Sequence, residues 1–158
     1  MGVGHEYPLR FDHHAFSAYC FNTKTCQVTY ADTLQVSEDG PSRAPRAGYL
    51  NSLGLGGHLG IQNFPAPAQV KWTALDGTEL RGTIDVGNVF EDQLILHQVA
   101  REQLPDVTVK HSGSPNVVLV VNDRTITVYM RAMVFVKSTG GSPSGFRDDV
   151  IQAWQKTY

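Results

Sequence analysis

The stretch that decides the fold is NVVLVVNDRTITVYMRAMVFV, residues 116–136. Its β-branched and aromatic residues are typical of strands, and the Asn-Asp pair between the two apolar runs is typical of a turn. Pairing Val121 with Arg124 places Leu119 beside Ile126, so that one face becomes continuously apolar. We therefore predict a β-hairpin here, with a second arm long enough to be a central strand.

A second hairpin is predicted around Asp76-Gly77, which separates two alternating runs over 69–75 and 78–86. Asp-Gly between such runs is a strong signal for a two-residue turn. That turn would set Trp72 opposite Arg81, with the guanidinium on the indole face. We expect Trp72 and Tyr19 to show a face to solvent, as aromatic anchors of protein interfaces do.

The two cysteines favour a third hairpin. Cys20 and Cys26 flank a short polar loop between segments of strand propensity at about 11–20 and 26–36. If the sulfurs are joined, Cys20 faces Cys26 and the hairpin sorts into one apolar and one mostly polar face. A disulfide favours an oxidising compartment such as a bacterial periplasm, and two free thiols are the alternative.

The same register sets His14 opposite Asp32. A carboxylate in that position could orient the imidazole and raise its pKa, as for a general base. The alternative, which we favour, is a polar cross-strand pair near the end of a sheet.

Periodicity predicts two helices. Apolar residues recur at helical spacing over 88–103, where Asn88 would cap the helix and Pro105 would end it. Ser144 would cap a C-terminal helix, with an apolar stripe made by Phe146, Val150, Ala153 and Trp154. With the three hairpins, these helices predict one α+β domain over 1–158, built on an antiparallel β-sheet or sandwich.

Glycines and prolines make residues 37–67 a predicted long irregular region. Loops of that length are uncommon unless they bind something or are flexible. We expect this region and the neighbouring hairpin to contact a partner protein, with the following candidate residues: Glu38, Asp39, Leu55, His58, Leu59 and Trp72. Glycines would let the backbone approach the partner closely. The alternative is that they permit a tight crossover, with the interface on a sheet face.

Composition excludes several classes of function. Thirteen Lys and Arg against 15 Asp and Glu give a formal net charge of −2, without a run of like charges, which argues against nucleic acid as a partner. The run Val117–Val121 holds five apolar residues, far short of the ~18–20 that span a bilayer.

Known catalytic and ligand-binding patterns are also missing. The glycine cluster at 54–60 lacks the spacing of a dinucleotide-binding or phosphate loop, and no nucleophile elbow is present. His13 and His14 would point to opposite faces of a strand and could not share a metal ion. We therefore expect no catalytic residue, no metal and no cofactor.

Four short segments carry a resemblance to a known family. They are Phe64-Pro65-Ala66-Pro67-Ala68-Gln69-Val70-Lys71-Trp72, Leu75-Asp76-Gly77-Thr78, Asp85-Val86-Gly87-Asn88-Val89-Phe90 and Thr127-Val128-Tyr129-Met130-Arg131-Ala132. Over residues 64–136 the chain resembles the periplasmic lipoprotein immunity proteins of bacterial type VI secretion lipase effectors.

The resemblance implies a non-enzymatic periplasmic protein that neutralises a toxic phospholipase by binding it and occluding its active site. It also implies a lipid anchor on a cysteine, the only expected contact with a membrane; this sequence shows neither that cysteine nor a signal peptide. A periplasmic small-ligand or carbohydrate-binding domain that uses Trp72 is the alternative function. A hydrolase built on His14 and Asp32 and a structural subunit are weaker alternatives.

Overall fold

The computed structural model describes residues 9–104, 114–138 and 145–158, which form nine strands in two sheets. The strands are β1 (His13–Phe21), β2 (Thr23–Tyr30), β3 (Thr33–Glu38), β4 (His58–Gln62), β5 (Ala68–Ala74), β6 (Glu79–Ile84), β7 (Asn116–Asn122), β8 (Thr125–Val136) and β9 (Gly145–Thr157). The five-stranded sheet has the order β4-β1-β7-β8-β9, and the four-stranded sheet has the order β3-β2-β5-β6. β1 and β7 run parallel, and the other paired strands are antiparallel.

Both sheets contribute apolar side chains to one core. Phe16 and Leu119 come from the five-stranded sheet, and Val28, Tyr30 and Trp72 come from the four-stranded sheet. Burial alternates along β2 and β5, as expected for strands with one face inside and one face in water. β7 differs, because its residues 116–121 are all buried, so both of its faces are covered.

The predicted α+β class is wrong, because no helix among the described residues is longer than four residues, and the one α-helix there is the single turn α1 (Val86–Val89). Asp85, rather than Asn88, caps it. Residues 90–100 then run without a helix, a 3-10 turn follows at Arg101–Gln103, and Phe90, Ile95 and Val99 are buried in the core. Several of their backbone groups bond to other segments, as when Ile95 N donates to the carbonyl of Leu9 at 2.9 Å, and the bonds within the stretch close single turns, such as Gln93 N to the carbonyl of Phe90. Pro105 lies outside the described residues.

The predicted C-terminal helix is also wrong, since residues 145–157 form β9 at the edge of the sheet. β9 pairs with β8 along its whole length, with a register shift between Val128 and Tyr129. The shift leaves Ala153 without a partner on β8. The apolar residues of β9 therefore stop alternating at this bulge, and their spacing resembles that of an amphipathic helix. Ser144 lies outside the described residues.

The disulfide between Cys20 and Cys26 is confirmed, but the hairpin predicted around it is wrong. β1 pairs with β7 and β4, whereas β2 pairs with β3 and β5, so the two strands belong to different sheets. Asn22, at a φ of 54°, turns the chain between them. The disulfide therefore links the two sheets at this corner, with its two Cα atoms 6.5 Å apart.

The other two hairpins form with shifted registers. β5 and β6 pair Trp72 with Leu80 instead of Arg81. The turn holds three residues instead of two, because Thr73 pairs with Glu79 and Ala74 N donates to the carbonyl of Thr78. In the β7–β8 hairpin Val121 pairs with Ile126 rather than Arg124, a shift of two that preserves the predicted faces.

The region 37–67 is not irregular throughout, because it contains β4 and a 3-10 turn at Tyr49–Ser52. Residues 43–57, here the cover segment, lie against the outer face of the five-stranded sheet. Leu53 packs there with Val118, Val120 and Tyr129 in a second apolar cluster. This cluster is why β7 is buried on both faces.

Hydrogen bonds and glycines fasten the cover segment to the sheet. Arg131 Nη1 donates to the carbonyl of Leu53 at 2.6 Å, and Asn116 Nδ2 donates to the carbonyl of Gly54 at 2.9 Å. A Cβ on Gly57 would lie 2.3 Å from the carbonyl oxygen of Phe16. These glycines therefore let the backbone of the cover segment approach the five-stranded sheet of the same protein closely. Across the described ranges, no helix is both long and apolar enough to cross a membrane.

Candidate protein-binding surface

An exposed apolar surface occupies one end of the outer face of the five-stranded sheet. Its first part comes from β8, in which Ala132 and Val134 are buried while Met133 and Phe135 point to the opposite face. Met133 is 50% exposed. Strand geometry therefore places two large apolar side chains on the outside, two residues apart.

The edge strand β9 adds an aromatic ring. Phe146 pairs with Phe135, and their ring centroids lie 5.4 Å apart at an interplanar angle of 78°. This edge-to-face arrangement is a favourable geometry for two aromatic rings. Phe146 nevertheless remains 55% exposed, so most of its apolar area faces solvent.

Two leucines of the predicted contact set complete the surface. Leu55, from the cover segment, is 69% exposed, and Leu59, from β4, is 71% exposed. Together with Met133 they line a shallow depression of about 270 Å³. We call Leu55, Leu59, Met133, Phe135 and Phe146 the apolar surface.

The charged groups bordering this surface are neutralised within the protein. Arg131 Nη2 lies 2.6 Å from Asp148 Oδ2, and Arg131 Nε contacts both oxygens of the same carboxylate. The remaining guanidinium nitrogen donates to two carbonyls of the cover segment. Both charged side chains line the depression, and they leave it without an uncompensated charge.

The other predicted contact residues lie elsewhere. Glu38 and Asp39 line a polar groove of about 660 Å³ on the outer face of the four-stranded sheet, beside Lys71 and Arg81. His58 is half-buried, with its Nδ1 3.0 Å from Gln35 Nε2. The structure therefore divides the six predicted contact residues: Leu55 and Leu59 meet at the apolar surface, Glu38, Asp39 and Trp72 line the polar groove, and His58 lies apart from both.

The expectation that Trp72 shows a face to solvent is wrong, because the residue is 1% exposed. Its indole Nε1 donates to the carbonyl of Asp123 at 2.6 Å, and its ring packs edge-on against Tyr158. The register shift of one residue explains the error, since it turns Trp72 inward beside Leu80. A sugar could not stack on this ring, because the ring is buried in the core.

His14 does not pair with Asp32, which lies in the turn between β2 and β3. The imidazole is fully buried, with Nδ1 2.6 Å from Asn63 Oδ1 and Nε2 2.9 Å from the Tyr30 hydroxyl. Asn63 Nδ2 donates to the carbonyl of Phe11, which fixes the orientation of the amide. His14 Nδ1–H therefore donates to Asn63, and Nε2 accepts from Tyr30.

Burial lowers the pKa of His14 because it disfavours the imidazolium. The hydrogen bond to Asn63 acts in the opposite direction, and the charge of His13 adds to the lowering. His14 thus forms a buried, neutral hydrogen-bond relay between the two sheets. Within the described ranges, no three or more His, Cys, Asp or Glu side chains are grouped so that they could hold a metal ion.

Sequence reasoning missed Met133, Phe135 and Phe146 as surface residues. Helical periodicity places Phe146 on an apolar stripe, and strand periodicity places Phe135 in the core. The available signal was the alternation along β8 after Arg131, which places residues 133 and 135 on the side opposite the buried Ala132 and Val134.

No known protein family, curated protein or solved structure matches this chain. The resemblance to periplasmic immunity proteins therefore remains a prediction.

Proposed function

We propose that this chain is a non-catalytic binding domain that docks another protein through the apolar surface. The observation that carries the proposal is the grouping of Leu55, Leu59, Met133 and Phe146, each at least half exposed, on one sheet face. Contiguous exposed apolar area is uncommon on a monomeric soluble protein and marks interaction sites. Aromatic residues and methionine are also enriched at protein interfaces.

For the partner, we propose a secreted toxic effector, with a type VI secretion phospholipase as the specific candidate. The resemblance over residues 64–136 supplies this class. The apolar surface supports it, since an enzyme that binds acyl chains has an apolar cleft into which exposed leucines can insert. Leu55 and Leu59 would occupy that cleft and block access to the active site without any chemistry on the inhibitor.

We propose the bacterial periplasm as the site of action. The Cys20–Cys26 disulfide is compatible with an oxidising compartment outside the cytoplasm. The burial of His14 supports a non-enzymatic role, because the imidazole has both nitrogens occupied by Asn63 and Tyr30.

The test is inhibition of a secreted phospholipase encoded beside this gene. The wild-type protein should bind the enzyme and abolish its hydrolysis of phospholipid vesicles. The double variant Leu59→Asp/Met133→Asp should bind at least about a hundredfold more weakly, because two buried contacts would each acquire a charge that must be desolvated.

Leu34→Asp is the matched control, since Leu34 is 53% exposed on β3 of the other sheet. This variant should inhibit within about threefold of wild type. Equal losses in the double variant and the control would overturn the assignment of the surface. Tight binding without inhibition of the phospholipase would retain the surface and overturn the proposed mechanism.

A further inference from the structure

A second depression lies where the cover segment meets β1, and it shares no lining residue with the apolar surface. It measures about 440 Å³, within the range of small-molecule sites. The side chains that matter are Tyr19 and Phe21 from β1, and Arg43, Arg46, Tyr49 and Leu53 from the cover segment. We call it the aromatic cleft.

Aromatic rings form one wall of the cleft and are held in place. The rings of Phe21 and Tyr49 meet edge to face, with centroids 5.4 Å apart. The Tyr19 hydroxyl accepts a hydrogen bond from Gly54 N at 3.1 Å. The Tyr49 hydroxyl bonds to Tyr129, and burial together with this bond raises the pKa of Tyr129 to about 12. The rings of Tyr19, Phe21 and Tyr49 are half-buried, so part of each ring is accessible from the cleft.

The charged side chains that line the cleft are all positive. Arg43 and Arg46 are both exposed, and no Asp or Glu is among the lining residues. Neither guanidinium forms an ion pair or side-chain hydrogen bond within the described part of the chain, whereas Arg124 and Arg131 each pair with an aspartate. The donors of both arginines are therefore available to a ligand, although the whole chain carries a net charge of −2.

We propose that the aromatic cleft binds a small molecule that carries one aromatic ring and one carboxylate. The ring would pack against Phe21 and Tyr49, which offer both a face and an edge. The carboxylate would accept paired hydrogen bonds from a guanidinium, the geometry that arginine favours. This proposal stands apart from protein docking, because it uses different residues.

The test is a titration of ¹⁵N-labelled protein with 3-phenylpropionate, followed by the amide resonances. Binding should move the amides of Phe21, Gly48 and Tyr49. The neutral analogue 3-phenylpropionamide, of the same shape, should bind about tenfold more weakly, because it lacks the charge.

Arg43→Gln/Arg46→Gln should weaken binding of the acid about tenfold and change binding of the amide less than about twofold. Arg81→Gln is the matched control, since Arg81 is an exposed arginine on the other sheet and should leave both affinities unchanged. The spectrum of each variant reports whether it is folded. Equal affinity for acid and amide, shifts confined to the apolar surface, or no shifts at millimolar ligand would overturn the proposal.

Discussion

The outer faces of the two sheets differ, although both inner faces serve one core. The outward residues of β2, β5 and β6 in the four-stranded sheet are mostly polar, with Gln27, Lys71, Thr73 and Arg81 along the polar groove, and Leu34 on β3 is the large exposed apolar residue among its described strands. On the five-stranded sheet, the cover segment occupies one part of the outer face, and the apolar surface, which includes Leu55 of that segment, lies beside it. A polar face needs nothing over it, whereas an apolar face has to be covered or used. The comparison therefore directs the search for partners to the five-stranded sheet.

The largest effect should come from loosening the cover segment with Gly57→Ala. Gly57 has a φ of 104°, and an added Cβ would lie 2.3 Å from a backbone oxygen of β1. Strain and overpacking together should lower the free energy of unfolding by about 3–5 kcal/mol. Urea denaturation measures the loss.

Gly60→Ala is the matched control, because Gly60 also has a positive φ, 70°, but a Cβ added there would meet no atom within 4 Å. It should cost only the backbone strain of about 1–2 kcal/mol. If the two variants lose the same stability, the cover segment is not seated tightly on β1, and the contrast between the outer faces is weaker than described.

We expect an effect of intermediate size on the pH dependence of the free energy of unfolding, through His14 in the core between the two sheets. The pKa of His14 is lowered in the folded protein from its ordinary value of 6.5, with burial as the main cause. Below about pH 6.5 the unfolded chain therefore takes up a proton that the folded protein resists. The free energy of unfolding should fall as pH decreases from about 6.5, by at most about 1.4 kcal/mol per pH unit from this group.

Denaturation at about pH 7 and about pH 5 tests this, with His14→Gln as the comparison. The variant should be less stable at the higher pH, since it loses the relay between Tyr30 and Asn63. Its stability should also change less between the two pH values. The same slope in variant and wild type would show that other groups cause the pH dependence.

The smallest effect should come from the uncovered polar face. Lys71 and Arg81 lie directly opposite each other across β5 and β6, and like charges in such pairs repel. Lys71→Gln should therefore raise the free energy of unfolding by no more than about 0.5 kcal/mol. A loss above about 1 kcal/mol would mean that this face takes part in a contact, and the contrast between the sheets would fail.

Local patterns in the sequence predicted local features well. The β7–β8 hairpin follows from the strand-forming residues on both sides of Asp123, and the shift by two residues keeps every side chain on its predicted face. The Cys20–Cys26 disulfide is also present, although the hairpin from which it was predicted does not form. These features depend on residues close together in the chain, where propensity and turn chemistry act directly.

Features that depend on distant partners were missed. One of the two partners of β1 is β7, about 100 residues later, and nothing near His14 or Phe16 indicates this pairing. The bulge in β9 at Ala153 breaks the alternation of apolar residues, which is why β9 was predicted as a helix. For the site, Leu55 and Leu59 were chosen for their loop, but their position beside Met133 depends on how the cover segment crosses the sheet.

The parallel pairing of β1 with β7 implies an order of assembly if the chain enters an oxidising compartment from its N-terminus. The four-stranded sheet is complete once residue 84 has emerged, whereas β1 lacks its β7 neighbour until residues 116–122 exist. Until then β1 has an open edge, which is a template for pairing with another chain. Since Cys20 and Cys26 are six residues apart, their disulfide can close during this interval. The disulfide would hold β1 beside the four-stranded sheet until β7 is present. Pairing of β1 with β7 of the same molecule would then be favoured over pairing with another chain, which leads to aggregation.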